Sequence, residues 1–188
     1  MLAHLRPALV LLAVFSLLTG VAYPLAVTGV AQLALPHHAN GSLIVEQGVV
    51  RGSALIGQAF SSPRYFHGRP SAAGSGYDAA ASSGSNLGPT SVKLKSQVAE
   101  RHAALKAENP TAPIPVELLM ASASGLDPHL SPAAAAFQVP RIAAARGLEA
   151  RVVTGLIEAH TEGRSLGFLG EPVVNVLALN RALDALTP

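Results

Sequence analysis

Between Arg6 and Glu46 the chain carries no Asp, Glu, Lys or Arg. Within that stretch, Ala8 to Leu35 reads ALVLLAVFSLLTGVAYPLAVTGVAQLAL. A bilayer core of about 30 Å needs roughly 20 mostly apolar helical residues, so the run predicts one membrane-spanning helix region over 8–35. Tyr23-Pro24 interrupts it, which a spanning helix tolerates when the freed backbone groups find other partners. A cleaved signal peptide has a shorter apolar region, about 7–15 residues, followed by a small-residue cleavage site. Here the small residues are not followed by a break in hydrophobicity, and an uncleaved anchor is expected. Arg6 and the terminal amine precede the span, whereas no Lys or Arg follows it until Arg51. Positive charge stays cytoplasmic, so residues 1–7 are expected inside and residues 36–188 outside.

After the span the pattern changes to short segments. Leu43–Val50 and Ala54–Phe60 read as β segments punctuated by Gly48 and Gly52, together a hairpin. Ser61 to Thr90 has no usable period and is dominated by Ser, Gly, Ala and Pro. A structureless stretch of that length inside a domain is functional or disordered. Tyr65, Phe66, His67, Arg69, Tyr77 and Asn86 within it are not linker residues, which favours a shaped loop.

Helices follow. Thr90 or Ser91 can cap a segment with Leu94, Val98, Arg101 and Leu105 on one side, ending at Asn109-Pro110. Ser131-Pro132 is a start signal, and that helix should kink or end near Pro140, resume, and stop at Gly147. Val152, Val153, Leu156 and Ile157 mark another helix. A last one after Pro172 places Val176, Leu179, Leu183 and Leu186 on one face. Val116–Ala121 is ambiguous between strand and helix. The expected fold is an α+β exported domain, helix-rich toward its C-terminus, anchored by one N-terminal transmembrane helix.

Composition sharpens this picture. Of 188 residues 49% are hydrophobic but only 13% charged and 4% aromatic, so alanine rather than large side chains fills the apolar count. That argues against a charged disordered tail, and against a multi-span membrane protein, which would be more apolar still. The pI near 9.3 reflects a net charge of only +2. The thirteen Lys and Arg are scattered, whereas nucleic-acid binding needs a patch or stripe. No cysteine is present, which removes disulfides, thiolate metal sites and cysteine nucleophiles.

Candidate chemistry is sparse. There is no phosphate-binding Gly-Lys loop, no GxSxG elbow and no HExxH helix. None of Asp78, Asp127 and Asp184 is followed by Lys-Thr-Gly, the phosphoacceptor context of P-type pumps. His37-His38 is the one pair with metal-ligand spacing, and it reads as interfacial where the chain leaves the membrane. Ser124-Gly-Leu-Asp127-Pro-His129 contains the residue types of a hydrolytic triad, but Asp-Pro followed by Ser131-Pro reads more simply as a turn into a capped helix. His67-Gly-Arg69-Pro either offers a cation and a titratable ring to a partner or holds its own loop. Ser82-Ser-Gly-Ser85-Asn86 is a polar turn whose backbone donors either hold an anion or simply close a loop.

Six segments resemble the C subunit family of the Kdp potassium-transporting ATPase. They are Gly52–Gln58, Tyr65–Ser71, Gly84–Gly88, Ala121–His129, Gln138–Arg141 and Gly170–Asn175, and with the apolar run they span almost the whole chain in order. The family usually has Ser-Gly-Gly-Ser-Asn where this chain has Ser82-Ser83-Gly84-Ser85-Asn86. The resemblance implies an accessory, non-catalytic subunit of a high-affinity ATP-driven potassium uptake complex in the inner (plasma) membrane. Implied partners are a channel-like potassium-binding subunit, a P-type ATPase catalytic subunit and a small single-helix subunit, with membrane lipid around the span and no nucleic acid. ATP, Mg and K+ would act on those other subunits, and no cofactor is assigned to this chain. The family is described as a catalytic chaperone that raises the ATPase subunit's affinity for ATP. Tyr65, His67, Arg69, Ser85, Asn86, Asp127 and His129 are the candidate loop and partner contacts; no residue is assigned to catalysis or metal. Two rivals remain, an anchored hydrolase using Ser124, Asp127 and His129, and an anchored envelope-binding module.

Overall fold

The apolar run folds as one helix that adjusts its hydrogen bonding around Pro24. In the computed structural model, which describes residues 4–186, α1 (Leu5–Leu17) and α2 (Tyr23–Ala34) are joined by a π-turn, Leu18–Ala22. Pro24 has no N–H to donate, and its ring crowds the carbonyl four residues back, that of Gly20. Widening the ladder just upstream accommodates both effects without ending the helix. Thr19 Oγ1 donates to the Phe15 carbonyl at 2.7 Å beside the same turn. The continuous element Leu5–Ala34 is long and apolar enough to cross a membrane, and the chain's own fold buries none of its residues.

Two units divide the chain between Ser53 and Ala54. In the first, α2 is followed by a helical turn, α3 (Pro36–Ala39), where the His37 and His38 rings meet edge to face at 5.6 Å. A hairpin follows, β1 (Leu43–Glu46) antiparallel to β2 (Val49–Ser53). The expected hairpin therefore exists, but its strands are displaced: the turn falls inside Leu43–Val50, and Ala54–Phe60 is not a strand. Gln47 and Gly48 both take positive φ, 51° and 77°. That is the two-residue turn whose twist suits a hairpin.

The second unit starts with an irregular run from Ala54 to Ser91, interrupted only by turns, as the missing period predicts. Next comes α4 (Val92–Glu108), capped by Ser91 Oγ, which accepts the Leu94 N–H at 3.3 Å. A 3-10 turn at Val116–Leu118 settles the ambiguous segment. β3 (His129–Leu130) leads into α5 (Pro132–Phe137) and α6 (Val139–Arg146), which break at Gln138, just before Pro140. α6 ends on Gly147 at φ 65°. α7 (Ala150–Ala159), β4 (Thr161–Glu162), β5 (Val173–Asn175) and α8 (Val176–Leu186) complete the fold.

Sequence periodicity misses the sheet. β5 lies between β3 and β4, antiparallel to both, with Val174 opposite Leu130 on one side and Thr161 on the other. The last helix consequently starts at Val176 rather than directly after Pro172. Asn175 makes the change of direction: its Oδ1 accepts the Ala178 N–H at 3.0 Å as a cap, and its Nδ2 donates to the Ala54 carbonyl at 2.8 Å.

The core explains the alanine content. Ala134, Ala135 and Ala143 let α5 and α6 approach a cluster of Phe66, Leu130, Phe137, Ile142, Val153, Ile157, Val174, Leu179 and Leu183. Leu186, expected on the same face as Val176, Leu179 and Leu183, is instead 43% exposed. Leu183→Ala should therefore lower unfolding free energy by about 2–5 kcal/mol and Leu186→Ala by under about 1 kcal/mol, compared by denaturant unfolding of the detergent-solubilised full chain. Equal losses at the two positions would refute this placement of the core.

Candidate functional site

An irregular backbone that enters a core must have its N–H and C=O groups satisfied without a strand beside it. Two side-chain amides meet that requirement. Asn180 on α8, 2% exposed, accepts the Phe66 N–H on Oδ1 at 2.8 Å and donates Nδ2 to the Phe66 carbonyl at 2.9 Å. Gln138, also 2% exposed, does the same for the next residue: Oε1 accepts the His67 N–H at 2.9 Å, and Nε2 donates to the His67 carbonyl at 3.0 Å. Each amide mimics one rung of a strand ladder. The Phe66 ring between them is fully buried.

Two arginines extend the hold. Arg141 donates to the carbonyls of Pro63 and Tyr65 at 2.7 and 2.9 Å, to Gln138 Oε1 at 2.6 Å, and to Glu108 at 2.9 Å. That Gln138 oxygen thus faces two donors, which fixes the orientation of its amide. Arg146, whose side chain is 1% exposed, donates to the Arg64 carbonyl at 2.6 Å and to Asp184 at 2.8 Å. Its guanidinium lies 4.9 Å from the centre of the Tyr65 ring, whose hydroxyl donates to the other Asp184 oxygen at 3.0 Å.

Tyr65 and His67, both candidate contacts, therefore belong to this scaffold. His67 Nε2 lies 2.9 Å from the Ser62 carbonyl; a carbonyl only accepts, so the ring carries its proton there. Burial pulls the His67 pKa below its ordinary value; the Ser62 carbonyl opposes this, Arg141 adds to it and Glu108 opposes it.

Arg69, Asp127 and His129 form a second group. Arg69 Nη1 donates to Asp127 Oδ2 at 3.0 Å, and Asp127 Oδ1 accepts the His129 N–H at 3.0 Å with His129 Nδ1 at 3.9 Å. Arg69 Nε is buried with no acceptor. Tyr77 backs the pair, its hydroxyl donating to the Arg69 carbonyl at 2.6 Å. Burial first, then the Asp127 charge, push its pKa up to about 12, with Arg69 opposing. Space is tight. A side chain on Gly68 would lie 2.3 Å from the Tyr77 hydroxyl, and one on Gly57 2.6 Å from the Asp127 carbonyl. Ser71 Oγ donates to the Gly125 carbonyl at 2.6 Å and accepts the Tyr77 N–H at 2.8 Å, tying residues 71–77 to the 122–129 turn.

Ser85 and Asn86 stay apart, exposed and without a hydrogen bond among the described residues. Asn86 takes φ 51°, a left-handed value asparagine tolerates. Ser83, where the family has glycine, is not among the described residues of positive φ, so serine fits there unstrained. The second glycine has a steric reason: a side chain on Gly84 would meet the Ala123 carbonyl at 2.8 Å. The triad residues are engaged locally. Ser124 Oγ accepts the Leu126 N–H at 3.1 Å within its own turn, and Ser131 caps α5, so the segment is a turn entering a short strand and a capped helix.

Candidate screening by residue type passes over Asn180, Arg146, Asp184 and Gln138, although Gln138 and Arg141 lie in one of the recognised segments. The available signal was a polar residue set among the apolar positions of a helix, as Asn180 is between Leu179 and Leu183.

Fold and site define a class: a chain with one long apolar helix and a mixed helix-and-sheet unit whose polar side chains hold a loop in shape. The profile of the family described as "KdpC: K+-transporting ATPase, c chain" matches residues 5–185. A protein of Caulobacter vibrioides named "Potassium-transporting ATPase KdpC subunit" is 61% identical over 189 residues, covering 100% of this chain and 96% of that one. Proteins of the same name from Rhodopseudomonas palustris and Methylococcus capsulatus are each 57% identical, over 100% and 99% of this chain and 99% and 100% of theirs. The chain belongs to the KdpC family.

Asn180→Ala leaves two buried backbone groups without partners and should cost about 2–4 kcal/mol in denaturant unfolding; a loss below about 1 kcal/mol would contradict the clamp. For His67 the sign is fixed by its lowered pKa. The unfolded chain binds the proton more readily, so stability is lost as pH falls below about 6.5, the unperturbed value. His67→Gln should flatten that part of the stability–pH curve relative to wild type, read from melting temperatures between pH 7.5 and 5.

Proposed function

We propose that the chain is the accessory, non-catalytic subunit of a potassium-uptake ATPase, held in the plasma membrane by Leu5–Ala34. Its N-terminus is cytoplasmic and the unit after Ser53 is extracytoplasmic. Its partners are a channel-like potassium-binding subunit, a P-type ATPase catalytic subunit and a small single-helix subunit. The observation that carries this reading is full-length family membership, joined to a site whose polar groups are bonded to their own loop rather than arranged to react. The helix packs on the channel-like subunit, and the exported unit sits over that subunit's outer face.

In this reading Ser85 and Asn86, with Arg69, Asp127 and His129, form the contact surface, while Tyr65 and His67 set its shape. ATP is cytoplasmic, so any effect on nucleotide affinity passes through coupled states of the assembly rather than through a nucleotide site on this unit. A hydrolase reading gains nothing from Ser124, whose hydroxyl serves its own turn.

Full-length protein with a tag after Pro188 should co-purify in mild detergent with two large membrane subunits, and the tag should react with an impermeant reagent on intact cells or spheroplasts. Monomeric extraction would sink the subunit assignment, and a tag protected until lysis would reverse the orientation.

A further inference from the structure

Between β4 and β5 the chain makes an excursion whose apolar side chains point into water. Ser165 and Leu169 exchange backbone hydrogen bonds, each 2.9 Å, and close a three-residue tip. Leu166 and Gly167 take positive φ, 54° and 81°. Leucine is disfavoured in that region, yet here it is 83% exposed, with Phe168 at 69% and Leu169 at 50%. Three large apolar residues on one exposed tip are unusual for a surface element without a partner.

Charge selects among possible occupants. At the base of the excursion, Arg164 pairs with Glu171 at 2.6 Å, while Glu158 and Glu162 are exposed and have no ion pair among the described residues. Apolar segments that enter a lipid surface are accompanied by Lys and Arg, which anionic headgroups attract; this tip is accompanied by unneutralised carboxylates. A second copy of the chain would bring like charges together. Both occupants are disfavoured. We infer that the Leu166–Leu169 tip docks the domain into an apolar pocket, rimmed by Lys or Arg, on another subunit of the pump. The inference rests on the reading that this chain works within a multi-subunit complex.

The test uses the full chain co-expressed with the pump's other subunits. Leu166→Ser combined with Phe168→Ser should leave thermal unfolding near wild type, because both side chains are already in water, and should reduce retention in the extracted complex at least ~10-fold. Wild-type retention of the double variant overturns the inference. Failure of the unmodified chain to co-extract overturns the underlying reading instead. Glu158→Lys with Glu162→Lys should weaken retention most at low salt; unchanged or stronger retention contradicts the basic rim. Phe168→Trp places a tryptophan in a chain that has none. Its emission should shift to the blue on assembly and resist quenching by brominated lipid, whereas quenching would put the tip in the bilayer and overturn the inference.

Discussion

Two buried carboxamides carry the second unit. Phe66 and His67 run through the interior of an otherwise irregular loop, and no strand lies alongside to take their backbone groups. Asn180 and Gln138 take both groups of one residue each. Since an unmade buried hydrogen bond costs on the order of 1–3 kcal/mol, the loop can place the Phe66 ring in the core only while both amides stay in position. The amides are positioned in turn by α8 and by the break between α5 and α6. Loop, helices and core are therefore one cooperative unit rather than a scaffold with a flexible attachment.

That constraint passes outward along the loop. Arg141 and Arg146 hold the carbonyls just before Phe66, and Tyr77 with Ser71 holds the residues just after His67. The half-buried Arg69–Asp127 pair is presented on a backbone that cannot easily relax, a favourable arrangement for recognition because little ordering remains to be done on binding. Low surface charge suits the same end. A subunit that acts by fitting against larger partners gains from shape held rigid, and only modestly from exposed ion pairs.

How far the sequence foretells this depends on length scale. The apolar run is legible because twenty-odd residues average out local exceptions such as Pro24, and Ser91, Ser131-Pro132 and Gly147 mark helix ends by local chemistry. β3, β4 and β5 are two or three residues long, too short for alternation to register. The β1–β2 turn was displaced because Gln47 is not a usual left-handed residue, and Gly52 drew the break instead. At the site, residue type found Arg69 with Asp127 and His129. It also found Tyr65 and His67, though as contacts rather than scaffold. It could not find the amide clamp, because Gln138 and Asn180 act through contacts 71 and 114 residues away in sequence.

The central claim is that an irregular loop is as firmly held as the core it enters. Amide hydrogen exchange of the full-length protein reads this directly at Phe66 and His67. If the carboxamide clamp governs the unit, these two amides exchange only with global unfolding, at rates matching Leu183 in α8. Exchange at those two positions as fast as at the exposed Ser85 and Asn86 would contradict the account.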